Sequence, residues 1–323
     1  MSAIDVFAPG KLFVIGEYAV LHGGRALVAA LDAGISCRLE DAAEWRLSAP
    51  DLGFDAALDA AGAQGGAALL AAAAQVGRRE YAVDGPRHVC VRGTAAASRT
   101  KHGLGGSAAS VVALIGAFAA AAGRDLEARD VRDAVFRTSL AVHRRHQRGR
   151  GSGADVAAAV YGGWLDYALA EGGARVVPAA IPAEACLAVV WSGVASDTAR
   201  AIESFDAAAF LARLRSILDR FWAAVEHADR PAMLDAVTAY GAALEEMAGG
   251  TDGARRIADM VRVARRCGLA AKGSGAVGGD CAIVLGFDAA GLRSLEAEWL
   301  EQGARPLAVS VDHRGVRREE AHA

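Results

Sequence analysis

Apolar residues recur along the chain at two spacings. Short apolar runs predict strands at residues 4–8, 12–15, 26–35, 36–40, 44–49 and 88–92. Longer segments, with apolar positions three and four apart or apolar throughout, predict helices at 64–76, 108–122 and 130–146. The 108–122 segment is rich in Ala, Val, Leu and Ile and has no proline, so a buried helix is expected there. In 130–146 the apolar stripe is narrower, formed by Val131, Ala134, Val135 and Val142. Further on, 187–191, 282–285 and 307–311 read as strands, and 197–228, 231–247, 253–267 and 289–302 as helices. The first half is strand-rich with helices inserted, which predicts an α+β fold rather than strict βαβ alternation. Pro178 and Pro182 mark a change in composition, and the expected boundary between two domains, 1–177 and 178–323, falls there.

The chain has 323 residues, 53% of them hydrophobic and 23% charged, which is enough apolar material for sizeable cores. Its net charge of −3 supplies no global basic field, so nucleic acid is not an expected partner. Alanine-rich stretches such as 67–74 are too short to span a bilayer, so no membrane partner is expected either. The first residues lack a basic start followed by an apolar run, and no secretory leader is expected. The five cysteines (Cys37, Cys90, Cys186, Cys267 and Cys281) are scattered and have no Cys-x-x-Cys spacing. That argues against a disulfide framework or a zinc site and fits a reducing cytoplasm. A small-molecule substrate is expected, with the chain a monomer or homodimer.

Three glycine-rich segments interrupt the apolar pattern. The central one, Lys101-His102-Gly103-Leu104-Gly105-Gly106-Ser107, runs into the 108–122 helix. The first N–H groups of a helix have no intrahelical acceptor, and the macrodipole adds partial positive charge at the same place. A phosphate is the natural guest, with the Ser107 hydroxyl and the Lys101 cation beside it. The alternative is a plain turn and helix cap. No Gly-Lys-Ser/Thr closes the segment, so it is not a Walker A loop. Upstream, Pro9-Gly10-Lys11 reads as a turn between two strands, followed by Gly16-Glu17-Tyr18. Downstream, Gly151-Ser152-Gly153-Ala154-Asp155 sets an acid at a helix start, a position the dipole alone would favour. The third segment runs from Lys272 through Gly273, Ser274, Gly275, Gly278 and Gly279 to Cys281.

Taken in order, Pro9-Gly10-Lys11 with Gly16-Glu17-Tyr18, then Gly103 to Ala109, then Gly275 to Cys281 resemble the three motifs of the GHMP small-molecule kinases. That family is named for galactokinase, homoserine kinase, mevalonate kinase and phosphomevalonate kinase, and the resemblance covers nearly the whole chain. The run His143…Gln147…Gly151 to Ala159, the Gly278-Gly279-Asp280-Cys281 ending, and Trp191-Ser192-Gly193 with Ala195-Ser196 are similar to the phosphomevalonate kinase branch. Gly106 stands where the family usually has a serine, and Val277 where it usually has a glycine. Arg148 and Arg150 flank a place where the branch often has a lysine.

The resemblance implies an N-terminal domain like ribosomal protein S5 domain 2, a ferredoxin-like C-terminal domain, and ATP with Mg²⁺ in the cleft between them. It implies that Asp155 is the general base or orients the acceptor oxygen, and that Lys11 beside it favours the ionised acid. Lys101, Gly103, Leu104, Gly105, Gly106, Ser107 and Ala108 would hold the nucleotide, and Ser107 and Glu17 the metal. Lys101, His143, Arg148, Arg150, Ser152, Gly153, Ser196 and Gly278 would line the acceptor subsite. The implied reaction converts 5-phosphomevalonate to 5-diphosphomevalonate in isoprenoid-precursor supply. The alternatives are a mevalonate kinase or other alcohol kinase, and a non-catalytic nucleotide sensor.

Overall fold

The computed structural model describes residues 3–59, 63–94, 103–149, 151–193, 207–248, 252–274 and 281–320. These residues form a mixed α+β architecture built on two sheets. The first sheet is organised on β1 (Ile4–Ile15) and β2 (Arg25–Asp41), paired antiparallel. β12 (Arg317–Glu319), from the far end of the chain, adds to the outer edge of β1. The other edge of β2 is shared. β6 (Trp164–Ala170) pairs with its first part and carries β7 (Gly173–Pro178), while β5 (Arg87–Gly93) pairs with its second part. β3 (Arg46–Ala49) lies parallel to β5 and antiparallel to β4 (Phe54–Ala57). The second sheet contains β8 (Cys186–Trp191), β9 (Ala270–Ser274), β10 (Cys281–Gly286) and β11 (Arg305–Leu307). Its order is β11-β8-β10-β9, antiparallel throughout.

Helices fill three layers around these sheets. α1 (Gly65–Glu80), α2 (Gly106–Ala121), α3 (Arg129–His146) and α4 (Ala154–Tyr161) cover one face of the first sheet. The apolar run of α2 is buried almost throughout, as its composition predicts, because α1, α3, α4 and the sheet surround it. α5 (Ala207–Glu226) and α6 (Arg230–Ala248) pack between the opposite face of the first sheet and the second sheet. α7 (Asp252–Arg266) and α8 (Ala289–Glu301) cover the far face of the second sheet, around the buried Trp299.

β1 and β2 are each one strand where the apolar pattern predicts two. The interruption is a bulge: Pro9 pairs with Gly34 and Gly10 with Leu31, leaving Asp32 and Ala33 over on β2. Across it the side-chain alternation slips. Val6 and Ala8 face the α1–α4 layer, whereas Leu12 and Val14 face α5 and α6. Pro9-Gly10-Lys11 is therefore a kink inside a strand and not a turn. β4, β6, β7 and β12 are not foreseen by the apolar pattern. The third glycine-rich segment begins as strand β9, and residues 275–280 lie outside the described ones.

Candidate active site

The site is built where α2 begins. The helix starts at Gly106, two residues before its apolar run, because Gly105 turns the chain into it at φ 80°. Glycine reaches that left-handed conformation freely, while an L-residue there costs roughly 1–2 kcal/mol. The Ala109 N–H donates to the Gly105 carbonyl at 3.1 Å, so the N–H groups of Gly106, Ser107 and Ala108 precede any intrahelical acceptor. Among the described residues nothing lies within 4 Å of the position a Cβ on Gly106 would take, so they leave the loop open on that side. An open, amide-lined helix start fits the phosphate oxygens of a nucleotide. Leu104 and Ala108 are buried and anchor the loop to the core.

The kink in β1 docks against this loop. The Lys11 backbone N–H donates to the Leu104 carbonyl at 2.8 Å, and its ammonium donates to the Gly103 carbonyl at 3.1 Å. A Cβ on Gly10 would lie 2.3 Å from the Ala33 oxygen and 2.6 Å from the Leu104 oxygen. Glycine at this position is what lets β1, the β2 bulge and the loop meet. Lys11 is thereby placed beside the nucleotide loop.

α4 begins at Ala154 after Gly153, whose φ of 84° turns the chain into the helix, and Asp155 lies in the first turn. The Val156 N–H donates to Asp155 Oδ1 at 2.9 Å. His143, on α3, stands between Asp155 and the α2 start. Its Nδ1 is 3.9 Å from Asp155 Oδ2, and its Nε2 is 3.0 Å from Ser107 Oγ. His143 is 1% exposed. Burial lowers its pKa, against the opposing pull of Asp155, and His146 lowers it further. The ring is accordingly neutral near pH 7, with a single N–H. Placing that proton on Nδ1, toward the carboxylate, makes Nε2 the acceptor of the Ser107 hydroxyl proton. Ser107, itself exposed, then keeps its oxygen lone pairs for a cation. His143 is thus a buried ring between Ser107 and Asp155, hydrogen-bonded to the first and 3.9 Å from the second.

The turn between α3 and α4 carries the basic residues. Arg148 is exposed and closes α3 in a left-handed conformation (φ 54°), with the Gly149 N–H on the Arg144 carbonyl at 2.8 Å. Arg144 Nη2 donates to the Ser152 carbonyl at 3.2 Å, as does the Tyr167 hydroxyl at 2.5 Å. Ser152 Oγ accepts from the Ala154 N–H at 3.3 Å. These contacts fix the Gly151–Gly153 turn ahead of Asp155; no role for Tyr167 follows from the sequence. Lys101, Arg150, Ser196 and Gly278 lie outside the described residues.

Glu17 lies just beyond the end of β1 and is 5% exposed. Its Oε1 is paired with the ammonium of Lys272 on β9, which is 0% exposed, and its Oε2 has no hydrogen-bond partner among the described residues. The sequence assigns Lys272 no role; the one signal is a cation in the otherwise small and apolar run Ala270-Ala271-Lys272. Among the described residues no group of three or more His, Cys, Asp or Glu side chains is arranged to hold a metal, and no helix is long and apolar enough to cross a membrane. Of the two expected metal oxygens, the Ser107 hydroxyl is open, whereas the Glu17 carboxylate is buried against an ammonium.

Residues 68–163 match the GHMP kinases N terminal domain. A phosphomevalonate kinase from Streptomyces sp. (strain CL190) is 28% identical over 370 aligned residues, covering 96% of this chain and 97% of that one. A mevalonate kinase from Aeropyrum pernix is also 28% identical, with 97% of each chain covered. Among solved structures, Streptococcus pneumoniae phosphomevalonate kinase in complex with phosphomevalonate and AMPPNP superposes with a TM-score of 0.80 at 21% identity. It covers 96% of this chain and 100% of that one.

Proposed function

From a chain that carries the GHMP kinase N-terminal domain within that family's two-domain fold, we infer a phosphotransferase that passes the terminal phosphoryl group of ATP to phosphomevalonate. The observation that carries this reading is the grouping of Ser107, His143 and Asp155, which sets a carboxylate on a neighbouring helix close to an open phosphate loop. Phosphoryl transfer asks a protein mainly to align two oxygens and to neutralise developing charge. The amides of Gly106, Ser107 and Ala108 bind nucleotide phosphates. Lys11 adds a cation at the same loop, and Asp155 orients the acceptor oxygen or takes its proton. His143 orients the Ser107 hydroxyl and excludes water between the two sides. A magnesium ion on Ser107 and the nucleotide phosphates would supply further charge neutralisation when bound.

A phosphorylated acceptor is favoured by the α3–α4 turn. Its basic residues Arg144 and Arg148 stand in the segment that leads directly to Asp155, and Arg148 is exposed there. Arginine suits a phosphate because its planar fork makes charge-assisted, bidentate contacts. The second reading, an alcohol acceptor such as mevalonate, is favoured by Asp155 itself. A carboxylate base is needed to take a proton from an alcohol, whereas a phosphate dianion has none to give. Steady-state kinetics with 5-phosphomevalonate and mevalonate separates the two. A kcat/KM at least about tenfold higher for the phosphorylated acceptor, roughly 1.4 kcal/mol of transition-state preference, is the expected result. Preference for mevalonate would replace the first reading by the second, and nucleotide binding without turnover on either would remove both.

A further inference from the structure

The arginines of α3 continue beyond the acceptor turn, into a groove that the chemistry above does not use. The groove encloses about 470 Å³ between α3, the end of α4 and the tip of the β6–β7 hairpin. That is within the roughly 300–1,000 Å³ of small-molecule sites. Phe136 and Leu140 of α3 and Val176 of β7 give it an apolar wall. Along its polar side, Arg129, Asp133, Arg137 and Arg144 follow one another at four- and seven-residue steps, so they share one side of the helix. Their charges do not balance. Asp133 Oδ1 accepts from Arg129 Nε at 3.0 Å and from the Tyr161 hydroxyl at 2.7 Å, and the Arg129 guanidinium lies 4.8 Å from the centre of the Tyr161 ring. The one acid of the lining is therefore engaged with Arg129. Arg137 is exposed, and Arg144 donates through Nη2 to the neutral Ser152 carbonyl. Neither forms an ion pair with a carboxylate among the described residues. Two guanidinium charges beside an apolar wall are complementary to a molecule with an anionic head and an aliphatic body. Arginine holds a phosphate by charge-assisted, bidentate contacts, and the wall takes apolar surface out of water.

The groove is set apart from the reacting groups. Leu140 stands between it and the Gly151–Gly153 turn, where a Cβ on Gly153 would lie 2.3 Å from Leu140 Cδ1. His143, which faces Ser107 and Asp155, is six positions from Arg137 and so points to a different side of α3. We propose that this groove is a second ligand site, taking an amphiphile with its phosphate head on Arg137 and Arg144 and its aliphatic body against Phe136, Leu140 and Val176. Its readout is binding, so it stands or falls separately from the kinase reading.

The experiment is calorimetric titration of the full chain with n-octyl phosphate below its micelle concentration. Octanol and inorganic phosphate are titrated separately, and saturating AMPPNP and 5-phosphomevalonate are present throughout to occupy the site described above. Octyl phosphate should bind at least about tenfold more tightly than either fragment. Arg137→Ala changes an exposed side chain and should keep Tm, yet weaken octyl phosphate binding about tenfold or more, the scale of a lost contact to a charged group. Ala141→Trp fills the groove from an exposed position and should abolish binding. If Ala141→Trp does not fold, Arg137→Ala decides alone. Binding of octyl phosphate unchanged in Arg137→Ala overturns the proposal. So does octanol or inorganic phosphate binding as tightly. No binding of octyl phosphate, or binding seen only when AMPPNP and 5-phosphomevalonate are left out, overturns it too, the latter because the ligand then occupies the reacting site.

Discussion

Gly10→Ala tests the junction on which the site depends. The new methyl carbon would lie 2.3 Å from the Ala33 oxygen and 2.6 Å from the Leu104 oxygen, about 1 Å inside ordinary contact in both directions. Both atoms are backbone, so no side chain can swing away. Either β1 leaves the β2 bulge, or the loop 103–105 lifts off β1. Overpacking of this kind costs about 1–3 kcal/mol. Lifting the loop also forfeits the Lys11 N–H to Leu104 O bond, about 0.5–1.5 kcal/mol more. Together these lower Tm by roughly 2–7 °C in a chain of this size. The kinetic effect should be larger in proportion, because Lys11 and the nucleotide loop separate by about 1 Å, a displacement worth on the order of 10² in kcat. Gly106→Ala is the control in the same loop, since its Cβ meets nothing within 4 Å among the described residues and its φ is not left-handed. It should keep Tm near wild type. Thermal melts with steady-state kinetics on the two variants make the comparison. A Gly10→Ala enzyme that melts with the control and turns over like the wild type would refute the contact between the β1 kink and the phosphate loop.

Asp155→Asn keeps shape and removes charge, and should cut kcat on the order of 10²–10⁴ while nucleotide affinity, followed by titration with a fluorescent ATP analogue, stays nearly unchanged; normal turnover would take Asp155 out of the mechanism. Arg148→Ala should raise KM for a phosphorylated acceptor and leave KM for ATP alone, at about 1.5–3 kcal/mol in kcat/KM, the scale of a lost contact to a charged group; equal effects on both substrates would move the acceptor phosphate elsewhere. His143 gives a pH signature. Its folded pKa lies below the ordinary 6.5 because burial disfavours the charged ring. The stability it contributes is full above about pH 6.5 and is lost as pH falls below, by up to about 1.4 kcal/mol per pH unit. Urea unfolding between pH 5 and 8 should show a shallower acid slope in His143→Gln, and identical slopes would contradict a buried neutral ring.

Some of this was written in local sequence. The α2 helix was legible because its apolar run contains no proline and only one glycine, and a helix with no polar face has to be buried. The glycine loop before it, the acid at the start of α4 and the order of the three motifs were legible as well, since each depends on residues adjacent in the chain. The exact start of α2 was not, because Gly106 and Ser107 carry no apolar signal and Gly105 acts through a backbone angle. The bulge in β1 and β2 was hidden for a related reason. A slip in side-chain alternation looks like the end of a strand until its partner strand is seen to continue. β12 was hidden by distance, as residues 317–319 pair with residues 5–7 only once the chain has folded back. The electrostatic assignments were the furthest out of reach. His143 and Lys272 are both basic in the sequence. Tertiary packing alone makes one a neutral ring hydrogen-bonded to Ser107 and the other the buried partner of Glu17, 255 residues away. Residue type sets which charges are available, but burial and the nearest opposite charge decide which of them survive, and both are properties of three-dimensional neighbours.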